Sequence, residues 1–184
     1  KARLELVREM PGFDMFRLKE AFASAPAAQL RGFFAQQANQ LFAGARVTES
    51  GALRLEEAGV PLSFRFVADV PQAVRGRGDG ALTMQTGIPA SRLKESLGAH
   101  RIRVFDLVLR EPIVMRDTSR IALGPYACPR LPQDVTLQTR LAQFSLMHVR
   151  EGANRVRVER LLIIRPGRVT TAEYPAFSAF LSKL

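Results

Sequence analysis

One thiol and two imidazoles are the side chains of this chain that could carry out nucleophilic catalysis. Cys128 with His100 or His148 would be the minimum for a thiol nucleophile and its base. Cys128 lies between Ala127 and Pro129, however, with no helix start behind it to favour the thiolate. His148 lies in an alternating segment that is typical of a strand. We therefore predict that Cys128 is a structural residue, and a small hydrolase built on it is the weakest of three hypotheses.

Metal binding and acid–base catalysis have no stronger support. A zinc site needs several His, Cys or carboxylate ligands in close register, and the chain has one Cys and two distant His. No loop has the oxygen-ligand spacing of a calcium site. The neighbouring carboxylates, Glu56 with Glu57 and Glu111 with Asp117, are expected at solvent-exposed positions because nothing places them in a pocket. We expect no catalytic residue, no metal and no cofactor in this chain.

Arginine is the residue type whose pattern favours binding. The 27 Lys and Arg residues outnumber the 17 Asp and Glu residues, which gives a net charge of +10. Five arginines cluster near the C-terminus, namely Arg150, Arg155, Arg157, Arg165 and Arg168. A row of guanidinium groups on a sheet face could bind phosphate or carboxylate groups, although a solvated outer face explains the same pattern. Nucleic-acid binding is not favoured, because no aromatic side chains are interleaved with these arginines.

Arg160 departs from the alternation of its own segment. It falls on the same side as Val156 and Val158, where a buried strand face is expected. Either a bulge moves it outward, or the guanidinium is buried and paired with a carboxylate or a carbonyl. We predict a structural ion pair. Its partner is expected among three acids, Asp106, Glu111 and Glu173.

The N-terminal elements that position these residues follow from hydrophobic periodicity. Residues 2–9 alternate as a strand does, and residues 14–43 carry an apolar stripe of period 3.6. The stripe comprises Leu30, Phe33, Phe34, Ala38, Leu41 and Phe42. We expect Asp14 and Ser24 to be helix N-caps and Gly44 to be a C-terminal cap. The stripe should pack on a sheet.

After Gly44 the period changes to two, which predicts an antiparallel sheet. Strands are expected over 45–59, 60–71, 80–87, 101–111, 112–117 and 119–124. A phase shift near Phe105 is explained by a β-bulge. Residues 124–134 hold three prolines and are excluded from the middle of a sheet.

The C-terminal section has the clearest pattern. Residues 140–150 and 154–167 flank the sequence EGAN and predict a β-hairpin. A short strand over 168–171 and a helix over 172–184 follow, with Pro175 in the first turn of the helix. The helix should dock on the sheet through three side chains, Phe177, Phe180 and Leu181.

Together these elements predict a mainly β, α+β fold. We expect an antiparallel β-sandwich-like domain, with an N-terminal helical segment and a short C-terminal helix packed on the sheet. Residues 1–44 would form a strand and helices that pack on a β domain of residues 45–184, in one compact unit. Because the chain starts at Lys1 and not at Met, we take it as a fragment of a longer protein. No apolar run approaches the roughly 20 residues that a membrane-spanning helix needs.

Several segments resemble the C-terminal β-rich region of bacterial transglutaminase-like proteins that carry an N-terminal domain of unknown function. They are LPQDVTLQT, VRVERLLIIRPGRVTTAEYPAFSAFL, GVPLSFRFVADVP and LVLREPIVM, so the resemblance extends over most of the chain. The matching positions are Arg160, Tyr174, Pro175, Phe177 and Phe180, all best explained by packing and turn formation.

The resemblance implies a non-catalytic role. In that family the catalytic Cys, His and Asp lie in a core upstream of this region, and none of those motifs is visible here. The chain would then be an accessory or interaction domain of a cell-envelope or periplasmic protein. Its partner would be the rest of its own polypeptide or an unidentified protein. The alternative is a standalone module that binds an anionic polymer, such as cell-wall material or nucleic acid, through the Arg-rich sheet face.

The stretch RGRGDG at residues 75–80 invites two further interpretations. It contains an Arg-Gly-Asp tripeptide, which integrin ligands present, and three glycines, which phosphate-binding loops use. A P-loop would need Lys and Ser or Thr entering a helix, whereas Ala81-Leu82-Thr83 enters a predicted strand. We predict an exposed turn that joins two strands.

Overall fold

The computed structural model describes residues 2–10, 15–57, 59–71, 74–76, 82–84, 93–126, 128 and 130–184. The strands are β1 Ala2–Met10, β2 Arg46–Leu53, β3 Leu62–Val70, β4 Val74–Gly76, β5 Leu82–Met84, β6 Leu107–Leu109, β7 Ile113–Ala122, β8 Val135–Gln138, β9 Ala142–Gly152, β10 Arg155–Ile164 and β11 Gly167–Val169. The helices are α1 Met15–Ser24, α2 Ala27–Leu41, α3 Leu93–Leu97 and α4 Tyr174–Leu181. The predicted mainly β, α+β fold is confirmed.

A seven-stranded antiparallel sheet is the frame of the molecule. Its strand order is β2-β3-β1-β7-β10-β9-β8, while β11 pairs with β6 and β4 pairs with β5 in two small antiparallel sheets. The N-terminal strand β1 lies between β3 and β7, so residues from both ends of the chain share one sheet. The sheet has a core face, which carries Leu6, Ser119 and Val158, and an outer face, which carries Glu5, Arg120 and Arg157.

Helix α2 covers one half of the core face. Its stripe buries Phe34, Ala38 and Leu41 against sheet residues such as Leu6 and Phe66. The Phe34 and Phe64 rings meet edge to face at 5.8 Å, a favourable geometry for aromatic pairs. The predicted packing of this helix on the sheet is confirmed.

Helix α4 covers the other half of the core face. Phe177 and Phe180 are buried with Leu162 and Ile164 of β10, and the small β6–β11 sheet contributes to the same cluster. Pro175 lies in the first turn of the helix, as expected. The sheet therefore has two apolar clusters on one face, one under α2 and the other under α4.

Three local predictions are wrong. Ser24 is not the N-cap of α2 but the last residue of α1, where its hydroxyl donates to the Glu20 carbonyl at 2.8 Å. Residues 101–106 do not form a strand with a bulge near Phe105, and only Leu107–Leu109 pair. The two strands expected over 112–117 and 119–124 form a single strand, β7.

Other turn predictions have mixed outcomes. Gly44 has a φ of 77° in the turn after α2, and its N–H donates to the Asn39 side chain, which matches the expected glycine cap. The hairpin around EGAN is confirmed by the pairing of β9 with β10. Asp14 and residues 77–80 of the RGRGDG stretch lie outside the described residues. Their flanking strands β4 and β5 pair with each other, in register Gly76 to Leu82.

Candidate functional site

Arg160 is buried in an ion-pair triad at the junction of the two apolar clusters. Its Nε lies 2.8 Å from Oδ2 of Asp117, and its Nη2 also contacts that oxygen. Arg8 approaches from the other side, with its Nε 2.6 Å from Asp117 Oδ1. The Asp117 side chain is 0% exposed and that of Arg160 is 4% exposed. Burial lowers the pKa of Arg160 from its usual value, and the charge of Asp117 opposes that effect.

The triad confirms one prediction and corrects two. Arg160 is buried and ion-paired, but its partner is not Asp106, Glu111 or Glu173. Asp117, expected at an exposed position, is fully buried. The reason is register: Asp117 of β7 stands directly between Arg160 of β10 and Arg8 of β1.

The thiol and the two imidazoles lie in separate environments. Cys128 Sγ donates to the Arg130 carbonyl at 3.2 Å. The His148 side chain on β9 is 3% exposed, and its Nδ1 lies 3.6 Å from Asp134 Oδ1. The His100 carbonyl accepts a hydrogen bond from Tyr174. No hydrogen bond between described residues joins the thiol to either imidazole, and no cluster of His, Cys, Asp or Glu in that part of the chain could hold a metal.

The five arginines of the predicted anion face do not form one surface. Arg155 and Arg157 share the outer face of β10, whereas Arg150 aligns with core-facing Val156 across a bulge. Arg165 follows β10, and Arg168 lies in β11, where its Nη1 is 3.5 Å from Asp106. The predicted row of guanidinium groups is therefore reduced to two.

Acids compensate most of the charge on the outer face. Arg157 contacts Glu159, and its Nε is 2.7 Å from Oε1 of Glu151. Arg65 lies 2.5 Å from Glu5 and 3.1 Å from Glu49, and these hydrogen bonds raise the pKa of Arg65, with Glu5 the larger cause. This network could not be predicted from the sequence, because its four acids lie in four different strands, β1, β2, β9 and β10.

Arg155 is an exception on this face. Its side chain has no hydrogen bond or ion pair with any other described residue. It borders a shallow depression of about 230 Å³, which we call the arginine depression. The charged residues that line it are Arg3, Arg65, Arg120, Arg155, Glu5 and Glu151.

An apolar strip on the surface was not foreseen from the sequence. The strip consists of Ile102, Val104, Phe105 and Val108, whose exposed fractions are 81%, 88%, 82% and 56%. Alternation in this segment suggested a buried strand face. The phase shift near Phe105 was the available signal that the segment does not pack as a strand.

Hydrogen bonds at both ends hold the strip against the fold. The Tyr174 hydroxyl donates to the His100 carbonyl at 2.7 Å, and Arg103 lies 5.4 Å from the centre of the Tyr174 ring. Asp106 accepts a hydrogen bond from the Thr171 N–H at 3.0 Å. Tyr174 itself is buried, which agrees with the structural role expected for it.

The start of α4 is held by a capping box. The Thr170 N–H donates to Glu173 Oε2, and the Glu173 N–H donates to Thr170 Oγ1. Arg140 adds a two-point contact, with its Nε 2.8 Å and its Nη2 3.1 Å from the Glu173 carboxylate. The hydrogen bonds from Arg140 and then from Thr170 lower the pKa of Glu173 to about 2.

Comparisons of the chain with protein-family models, with curated proteins and with solved structures return no match. Within the described residues, none of the helices has the length and apolar content that a membrane crossing requires. The resemblance to transglutaminase-like proteins therefore stays a prediction from the sequence.

Proposed function

We propose that this chain is a non-catalytic interaction domain that docks through the apolar strip. Following the sequence resemblance, its partner is the rest of a transglutaminase-like polypeptide of the bacterial cell envelope. The observation that carries the proposal is the exposure of Ile102, Val104 and Phe105, each above 80%. Contiguous exposed apolar side chains of this kind mark interaction surfaces in soluble proteins.

The energetics of the strip favour docking. Burying one large apolar side chain contributes about 1.5–3 kcal/mol. Four such side chains could supply a gross contribution on the order of 6–12 kcal/mol, from which the cost of association is subtracted. An apolar anchor with a polar rim is typical of interface cores. Exposed Arg101 and Arg110 flank the strip and supply that rim.

The strip is also pre-organised. Tyr174 and Arg103 hold its start, and Asp106 with the β6–β11 pairing holds its end. A segment fixed before binding loses less conformational entropy on association. An unattached loop would lack this advantage.

The test is a binding measurement between this chain and the separately purified upstream region of its polypeptide. Isothermal titration calorimetry should detect association, and Phe105→Asp should weaken it by about tenfold or more because a charge would be buried in an apolar contact. Met147→Asp is the matched control, since Met147 is 43% exposed on β9, away from the strip. Equal affinities of Phe105→Asp and the unaltered chain would contradict the proposal, as would absence of any association.

A further inference from the structure

The arginine depression lies where the outer face lacks large side chains. In register, Arg155 of β10 stands between Ala122 of β7 and Gly152 of β9. On the far side of Ala122 is Arg3 of β1. Ala122 therefore places a small methyl group between two arginine positions, and all three residues line the depression of about 230 Å³.

The charges around the depression do not cancel. Four arginines and two glutamates line it, which gives the lining a net charge of +2. Glu49, which does not line the depression but pairs with Arg3 and Arg65 at 2.8 and 3.1 Å, reduces this excess to +1. Both glutamates already form ion pairs with arginines. Glu5 contacts Arg65 and Glu151 contacts Arg157, at 2.5 and 2.7 Å. Among the described residues, none forms an ion pair with the guanidinium of Arg155, which stands at the edge of the depression.

We propose that the arginine depression binds a small oxyanion, a carboxylate or phosphate group, with Arg155 as its principal ligand. A guanidinium donates two parallel N–H bonds to such a group. Arg3 and Arg120 line the same depression, but Arg3 is paired with Glu49 at 2.8 Å and Arg120 lies 3.6 Å from Glu151, so they are secondary to Arg155. Glu5 and Glu151 disfavour extended polyanions, since like charges would be brought together. The site therefore suits a single anionic group and not a nucleic-acid backbone.

The test is a titration of the chain with inorganic phosphate and, separately, with acetate, followed by NMR shifts of backbone amides. Saturable binding is expected, with shifts around Ala122 and Arg155. The anion that binds more tightly assigns the class of ligand. Arg155→Gln should weaken binding by about tenfold or more, because it removes charged hydrogen bonds.

Two further variants make the result decisive. Arg165→Gln removes the same charge from an exposed position outside the depression and should leave the affinity unchanged. Ala122→Leu should fill the depression and abolish binding, with circular dichroism used to check folding. The proposal is overturned if neither anion saturates at tens of millimolar, or if Arg165→Gln weakens binding as much as Arg155→Gln.

This site is independent of the apolar strip. The Phe105→Asp variant should bind the anion as the unaltered chain does, because Phe105 does not line the depression. Loss of docking with retained anion binding would thus separate the two proposals.

Discussion

The two faces of β10 use arginine in opposite ways. Arg157 and Arg160 are three residues apart, yet Arg157 lies on the solvated outer face while Arg160 is buried on the core face. Arg157 pairs with Glu159 and with Glu151, and it shares Glu151 with Arg120. Arg160 depends on one fully buried carboxylate, which it shares with Arg8. From this comparison we expect the cost of losing a charge to be set by desolvation and not by the number of ion pairs.

The largest loss of stability is expected from a substitution in the buried triad of Arg8, Asp117 and Arg160. Asp117→Ala would leave Arg160 and Arg8 without their carboxylate, and an uncompensated buried charge costs about 3–5 kcal/mol. Urea unfolding followed by circular dichroism should show this loss in the free energy of unfolding. Glu159→Ala on the outer face is the matched control. A loss below about 1 kcal/mol for Asp117→Ala would show that the triad is more hydrated than its burial indicates.

An intermediate effect on stability is expected from the exposed ion pair of Arg140 and Glu173 at the start of α4. The pKa of Glu173 is lowered to about 2, so its carboxylate stabilises the fold above the ordinary pKa of a glutamate. That contribution is lost as the pH falls toward the folded-state value. Glu173→Gln should therefore lower the melting temperature at neutral pH, and the difference from the unaltered chain should shrink between about pH 4 and pH 2. A difference in melting temperature that stays constant over this pH range would contradict the lowered pKa of Glu173.

The smallest change in stability is expected from substitutions on the outer face of the sheet. Arg157 and its two acids keep between a quarter and a third of their side chains exposed. Arg157→Ala should change the free energy of unfolding by about 0–1 kcal/mol, because ion pairs that remain in contact with water gain little and are screened by salt. The measurement is urea unfolding at low and high salt, where the difference should vanish at high salt. Should Arg157→Ala cost as much as Asp117→Ala, the contrast between the two faces would be wrong.

Much of the fold could be predicted because its signals are local. The alternation in β1 and β10 and the stripe in α2 follow from which side chains neighbour each other within a few residues. Docking of Phe177 and Phe180 was predictable for the same reason. The strand predicted over residues 101–106 was wrong, because a run of alternating apolar residues is compatible with both a buried strand and an exposed strip.

The candidate sites were less predictable because they depend on register. The periodicity of β10 placed Arg160 on the side of Val156 and Val158, which left a bulge or a buried ion pair as the alternatives. The partner Asp117 is 43 residues away, and Arg8 is 109 residues from that carboxylate. Similarly, the arginine-rich pattern could be read from the sequence. The acids that neutralise these arginines, and the position of Ala122 beside Arg155, could not be read from it.

The sequence by itself determined the class of fold, the two sides of β1 and β10 and the unusual position of Arg160 on the apolar side of its strand. Only the tertiary structure decided which carboxylate meets that guanidinium, which arginines are neutralised and which apolar segment stays exposed. The physical reason is that periodicity is a property of one segment, whereas an ion pair across strands or an uncovered strip depends on how distant segments align.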